Sequence, residues 1–167
     1  MRRNRKLFAL IAGVTLVAGA VAEHCGAQLN MSAPATPKSY VVYAAEPQTV
    51  AADKQADVVI RFQVAPGFHI NSHTPKSKFL IPTTLSMQPA TGVKPGTPMF
   101  PAGQLYSFAF DPTDKLDVYA GSFTVKLPVV AAAGEHTIDA TFKYQACDNA
   151  SCYPPKTLAV KILFTAK

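Results

Sequence analysis

Two cysteines, Cys147 and Cys152, stand either side of Asp148-Asn149-Ala150-Ser151 in the segment YQACDNASCYPP. Asp, Asn and Ser favour turns because their short polar side chains bond to nearby backbone, and a four-residue hairpin loop sets its flanking residues opposite one another. Opposed strand residues have Cα atoms roughly 4.5 to 5.5 Å apart, inside the roughly 4.4 to 6.8 Å that a disulfide spans. A Cys147–Cys152 bond is therefore geometrically easy, and it supports two uses. A permanent staple is the ordinary use of paired cysteines in an exported protein. Closing a loop of about six residues, however, removes only about 2 kcal/mol of unfolded-state entropy, and an accessible bond at a bulge is readily attacked by a thiolate. Spacing alone leaves the staple and the redox-active pair both open.

Other chemistries are less well supplied. Zinc would need two ligands beyond the pair, and CxxxxC without a second CxxC does not offer them. Copper is the stronger metal rival, because His69 and His73 lie four apart in GFHINSH, with Met87 and Met99 elsewhere. On a strand that spacing shares a face but separates the ligands by about 13 Å. A Cys-His hydrolase lacks any Gly-rich oxyanion motif beside either cysteine. The expectation is no metal and no other cofactor.

The elements that must position the pair follow from the rest of the chain. MRRNRK is followed by an apolar, uncharged run from Leu7 to Ala22, the layout of a secretory signal peptide. Small residues permit cleavage after Ala22 or after Ala27; the latter is expected because it removes Cys25 and leaves an even pair. Removing 1–27 takes away four basic residues and Glu23, and the formal charge falls from +6 to +3. The remaining Lys and Arg form no cluster and no aromatics interleave with them, so nucleic acid is excluded as a partner. No later segment is long and apolar enough to span a membrane as a helix, so no stable insertion is expected after signal cleavage. Residues 28–38, rich in Ser, Ala, Pro and Thr, read as a flexible tether, and 39–167 as one domain.

Within that domain period-two alternation predicts strands. Val58, Ile60, Phe62 and Val64 share one face; so do Phe123, Val125, Leu127 and Val129; Ile138, Ala140, Phe142 and Tyr144; and Leu158, Val160, Ile162 and Phe164. Tyr40–Ala45, Leu80–Met87 and Leu105–Phe110 are weaker strands. The 14 prolines, spread through the chain, break any long helix. The prediction is all-β, an immunoglobulin-like sandwich of two antiparallel sheets. Alternation from Ile138 places Cys147 on the polar, reachable face. If Cys147 opposes Cys152, the inward set from Leu158 onward requires one extra residue, so a bulge is expected at Tyr153–Pro155. Gln88–Gln104 has no period. Its Met99-Phe100 tip, set among prolines, either covers a site or folds back onto the sandwich as a surface crossover.

YQACDNASCYPP resembles the active-site hairpin of the amino-terminal periplasmic domain of the thiol:disulfide interchange protein DsbD. GFHINS at 67–72, Leu80-Ile81-Pro82-Thr83, Tyr119-Ala120-Gly121 and Leu127-Pro128-Val129 fall in the same order as in that family, so the resemblance spans roughly Tyr40 to Phe164. It implies an immunoglobulin-like fold and a periplasmic thiol:disulfide interchange domain. Cys147 and Cys152 would pass electrons between a membrane-linked or thioredoxin-like donor and exported thiol proteins. Cys152 is then the cysteine engaged in the mixed disulfide and Cys147 the resolving one. The resemblance also places Met99 and Phe100 in a cap loop over the pair, and His69 and Asn71 on a strand near it. Its implied partners are thioredoxin-like proteins and a membrane electron-transfer protein of the CcdA/DsbD kind, supplied here by other chains. The rival expectations are a non-catalytic binding module that keeps a structural disulfide, and a copper-binding protein.

Overall fold

The computed structural model describes residues 39–108 and 111–167. The expected signal peptide over 1–27, Cys25 and the tether over 28–38 lie outside the described residues.

Twelve strands and no helix occur among the described residues. The first six are β1 (Val41–Ala44), β2 (Thr49–Val50), β3 (Gln55–Val64), β4 (His69–Asn71), β5 (Thr84–Met87) and β6 (Val93–Pro95). The others are β7 (Gln104–Phe108), β8 (Asp111–Tyr119), β9 (Ser122–Ala131), β10 (Gly134–Tyr144), β11 (Ala146–Cys147) and β12 (Lys156–Ala166). Hydrogen bonds order them into three four-stranded sheets, β1-β3-β9-β6, β2-β12-β10-β5 and β11-β4-β8-β7. All pairs are antiparallel except β12 with β2.

The first two sheets are the expected immunoglobulin-like sandwich, and its core is the set of residues that alternation selects. Val58, Ile60, Phe62 and Val64 of β3 are buried, as are Phe123, Val125, Leu127 and Val129 of β9 and Ile138, Ala140, Phe142 and Tyr144 of β10. Val160, Ile162 and Phe164 of β12 are buried too, with Leu158 partly so. The sheets meet through aromatic rings: Phe62 of the first stacks on Phe142 of the second with centroids 4.1 Å apart, and Phe123 reaches the same ring at 6.2 Å. Such contacts add roughly 0.5–1.5 kcal/mol to the burial itself.

The third sheet is the departure from the two expected, and it arises at three corners where the chain passes between a sandwich strand and a strand that pairs elsewhere. β3 gives way to β4 through Pro66-Gly67, β8 leads into β9 through Ala120-Gly121, and β10 passes into β11 at Gln145. Two of these corners need a positive φ, found at Gly67 (81°) and Gly121 (63°), a conformation that costs glycine nothing and a side-chain-bearing residue about 1 kcal/mol or more.

The stretch from Gln88 to Gln104 is also more ordered than its lack of period suggests. β6 pairs with β9 at Val93↔Ala131, and farther on Met99 N–H donates to Lys126 O (2.7 Å) while Lys126 N–H donates to Met99 O (3.0 Å). The segment is an edge laid along β9.

Truncating the ring that joins the two sheets gives the first test. Phe142→Ala should lower the unfolding free energy in urea by about 3–5 kcal/mol. Lys161→Ala, which removes only the exposed 2.8 Å bridge to Asp139, should cost less than about 1 kcal/mol.

Candidate functional site

β10 and β12 pair in one unbroken register from Gly134↔Ala166 to Tyr144↔Lys156. Beyond Tyr144 the chain changes neighbours. Asn71 N–H donates to Gln145 O at 3.2 Å, and β11 then pairs with β4, Ala146 opposite Ile70 and Cys147 opposite His69. On the return side Cys152 opposes Cys147, and Tyr153 N–H donates to Ala146 O at 2.8 Å. Two residues, Gln145 and Ala146, thus span on one side what Tyr153, Pro154 and Pro155 span on the other, which is the one-residue bulge that the pattern of β12 requires.

Cys147 and Cys152 form a disulfide with Cα atoms 3.9 Å apart. Their exposure corrects the reading from alternation. Cys147 is fully buried and Cys152 is exposed, because the exchange of neighbours at Gln145 ends the β10 alternation and seats both residues of β11 against β4. Only the Cys152 side of the bond faces incoming thiols.

Bonds that do not involve sulfur also hold the loop. Asp148 N–H donates to Ser151 O (3.0 Å), and Asp148 Oδ1 accepts from the N–H groups of Ala150 and Ser151, each at 2.8 Å. Asp148 Oδ2 accepts from the Tyr153 hydroxyl at 2.5 Å. The Tyr153 bond, then those from Ala150 and Ser151, stabilise the carboxylate and hold its pKa below the ordinary value; the same bond to Asp148 raises the Tyr153 phenol. Tyr153 also stacks on Tyr40 with centroids 5.1 Å apart, and Phe68 completes the cluster at 4.7 Å from Tyr40. Gln145 Nε2 donates to Tyr153 O (3.2 Å) and Asn71 Nδ2 to Gln145 Oε1 (3.1 Å), tying the hairpin base to β4.

The aromatic neighbour of the hairpin is Tyr106 of β7, whose hydroxyl donates to Asn149 Oδ1 at 2.9 Å. Its ring lies 4.1 Å from that of His69, and Phe108 lies 6.0 Å from the same imidazole. Met99 and Phe100, expected over the cysteines, are placed differently. Met99 is bonded through its backbone to Lys126 of β9, and Phe100 stacks on His73 at 4.3 Å and on Tyr119 at 6.4 Å. The Met99-Phe100 tip folds back onto the sandwich because its backbone completes the edge of the first sheet and its ring completes an aromatic stack.

Nor do the two histidines of the copper alternative share surroundings. His69 is buried between β11 and β7, whereas His73 is exposed under Phe100 with Nδ1 2.8 Å from Thr83 O. No group of three or more His, Cys, Asp or Glu side chains suited to a metal occurs among the described residues. Sequence reading missed Tyr106, Asp148 and Tyr153. The first carries a usable signal, since Tyr106, Phe108 and Phe110 recur with period two in one of the weaker strand candidates.

A β-sandwich presenting a hairpin disulfide, one cysteine buried and the other open, has the form of a thiol:disulfide interchange domain, and the family match defines the class. The chain belongs to the family of the thiol:disulfide interchange protein DsbD, N-terminal, whose model matches residues 40–163. Among solved structures it is similar to the N-terminal domain of Neisseria meningitidis DsbD in its reduced form, with 23% identity, a TM-score of 0.47 and coverage of 78% of this chain and 92% of that one. It is also similar to the N-terminal periplasmic domain of ScsB from Proteus mirabilis, with 11% identity, a TM-score of 0.46 and coverage of 73% and 44%. A third similar structure is that of the complex between the DsbD and PilB N-terminal domains of N. meningitidis, with 23% identity, a TM-score of 0.46 and coverage of 75% and 84%. Comparison with curated proteins gave no match.

Asp148 supplies a test by pH. Its folded-state pKa is lowered, so its contribution to stability is fully present above the unfolded carboxylate value of about 4 and is lost as pH falls through the lower folded value. Urea unfolding of wild type and Asp148→Asn should show a wild-type advantage at neutral pH that shrinks steadily in acid. A gap that stays constant into strong acid would remove the carboxylate from the account of the hairpin.

Proposed function

We propose that the domain works in the periplasm as a two-electron carrier, with Cys152 the cysteine that enters mixed disulfides and Cys147 the one that resolves them. The observation that carries this reading is the asymmetry of the pair, Cys152 exposed and Cys147 fully buried. An incoming sulfur must approach nearly in line with the bond it breaks, and only the Cys152 end leaves room for it. In the reducing direction the Cys152 thiolate attacks an oxidised partner and the partner's disulfide opens. Cys147 then attacks Cys152 Sγ, the partner leaves as its dithiol, and the Cys147–Cys152 bond remains. A donor dithiol resets the pair by attacking Cys152 Sγ, with the Cys147 sulfur as the leaving group. The partners on this reading are thioredoxin-like proteins, and a membrane electron-transfer protein keeps them reduced.

Tyr106 takes the shielding role expected of Phe100. It is tied to the loop by its bond to Asn149 and lies over the buried side of the site against His69. A partner that docks across the hairpin meets Tyr106 at Asn149, so access as well as intrinsic reactivity sets selectivity.

Three measurements test this. In Cys147→Ser the remaining Cys152 should hold a thioredoxin-like partner as a stable mixed disulfide, whereas Cys152→Ser should trap little; equal trapping by both would remove the assignment. Titration against glutathione should give a potential near about −200 mV, and a value well below about −300 mV would make the bond a staple. Tyr106→Ala should speed reduction of the oxidised protein by glutathione several-fold while shifting the equilibrium potential little. An unchanged rate in a folded variant would leave Tyr106 without a shielding role.

A further inference from the structure

Among the described residues His69 is the one buried histidine, and it lies beside the disulfide. It retains 3% of its exposure, and Nε2 is fully enclosed without a hydrogen-bond partner among the described residues. Buried polar atoms are nearly always bonded, and an exception in a native structure calls for a reason. Register supplies one. His69 is directly opposite Cys147 across the β4–β11 pair, and directly opposed residues project their side chains to the same face with Cβ atoms about 4.5–5.5 Å apart. In the disulfide, Cys147 has no proton to offer. Once the bond is open, the same sulfur carries an S–H, a donor for which the enclosed site otherwise provides this imidazole.

We propose that His69 is the proton acceptor for Cys147 in the resolving step, an inference that rests on the exchange reaction assigned above. In the mixed disulfide Cys152 Sγ is bonded to a partner sulfur and Cys147 is a thiol. As Cys147 Sγ bonds to Cys152 Sγ, its proton passes to His69. The bond between Cys152 and the partner breaks, and its electron pair departs on the partner's sulfur. The imidazolium then returns the proton to that thiolate or to water. A buried thiol needs this help, because apolar surroundings raise its pKa above the usual value of about 8.5 and leave little thiolate at neutral pH.

The groups facing the imidazole are Cys147 on β11, Asp148 just beyond it, and Tyr106 and Phe108 on β7. Burial lowers the His69 pKa and the Asp148 carboxylate opposes that shift, so the ring is neutral and able to accept a proton at neutral pH. The carboxylate also stabilises the imidazolium that forms. Tyr106 has its hydroxyl on Asn149 and presents its ring to His69, closing the site without competing for the proton.

Reduced protein reacting with dithiobis-nitrobenzoate separates the steps, since Cys152 releases the first nitrothiolate and closure by Cys147 releases the second. His69→Phe keeps a flat ring against Tyr106, and His69→Gln keeps a hydrogen-bond acceptor that does not take up a proton. In both variants the second phase should slow at least about tenfold near pH 6–7 and converge on wild type only above about pH 9, as the buried thiol comes to ionise unaided; the first phase should be unchanged. A second phase in His69→Phe that follows wild type across this range would overturn the inference. A wild-type rate in His69→Gln would do the same, reducing His69 to a hydrogen-bonding spacer. If wild type itself releases only one nitrothiolate, the exchange reading fails before His69 is at issue. Circular dichroism confirms the fold of each variant, and should His69→Phe not fold, His69→Gln alone decides.

Discussion

At Gln145 the chain stops bonding to β12 and begins bonding to β4, and the burial of Cys147, the exposure of Cys152 and the position of His69 all depend on that exchange of neighbours. Had β10 and β12 continued in register to the loop, Cys147 would lie on the solvent face with Lys143 and Gln145, and the two sulfurs would be nearly equivalent. The exchange makes them unequal. It is secured by the amide side chain of Asn71, which bonds both Gln145 Oε1 and the Ile81 carbonyl, and by the prolines at 154 and 155, which have no N–H to continue the ladder with.

The hairpin's shape does not rest on its disulfide alone. The Tyr153–Ala146 backbone bond, the three bonds to the Asp148 carboxylate and the stacking of Tyr153 on Tyr40 are all independent of sulfur. A cross-link closing so short a loop adds only about 2 kcal/mol.

The sandwich was legible because period-two alternation reports one buried face and one wet face, and β3, β9, β10 and β12 each have that environment. The one-residue bulge was legible for the same reason, since a slip would have turned Leu158 and its successors outward. β4 and β11 were not legible. At two or three residues they are too short to show a period, and both are buried throughout, so no alternation exists to be read. The cap was misplaced because an apolar residue among prolines marks a need for packing without saying where. Phe100 met that need on His73 and Tyr119, while Tyr106 reached the hairpin from a strand whose pairing is irregular between Tyr106 and Phe108.

The proline-rich segment from Val93 to Pro101 also bears on life outside the cytoplasm, where a folded domain is without ATP-driven chaperones. An exposed strand edge is a template on which a second molecule can add a strand. Here the outermost run along β9 contains Pro95, Pro98 and Pro101, and the amides of Gly96 and Met99 are turned inward to Pro128 and Lys126. The rim of the first sheet thus offers a neighbour few donors and an uneven line to match. The same residues that first suggest a lid over the cysteines instead make this edge a poor template for strand addition.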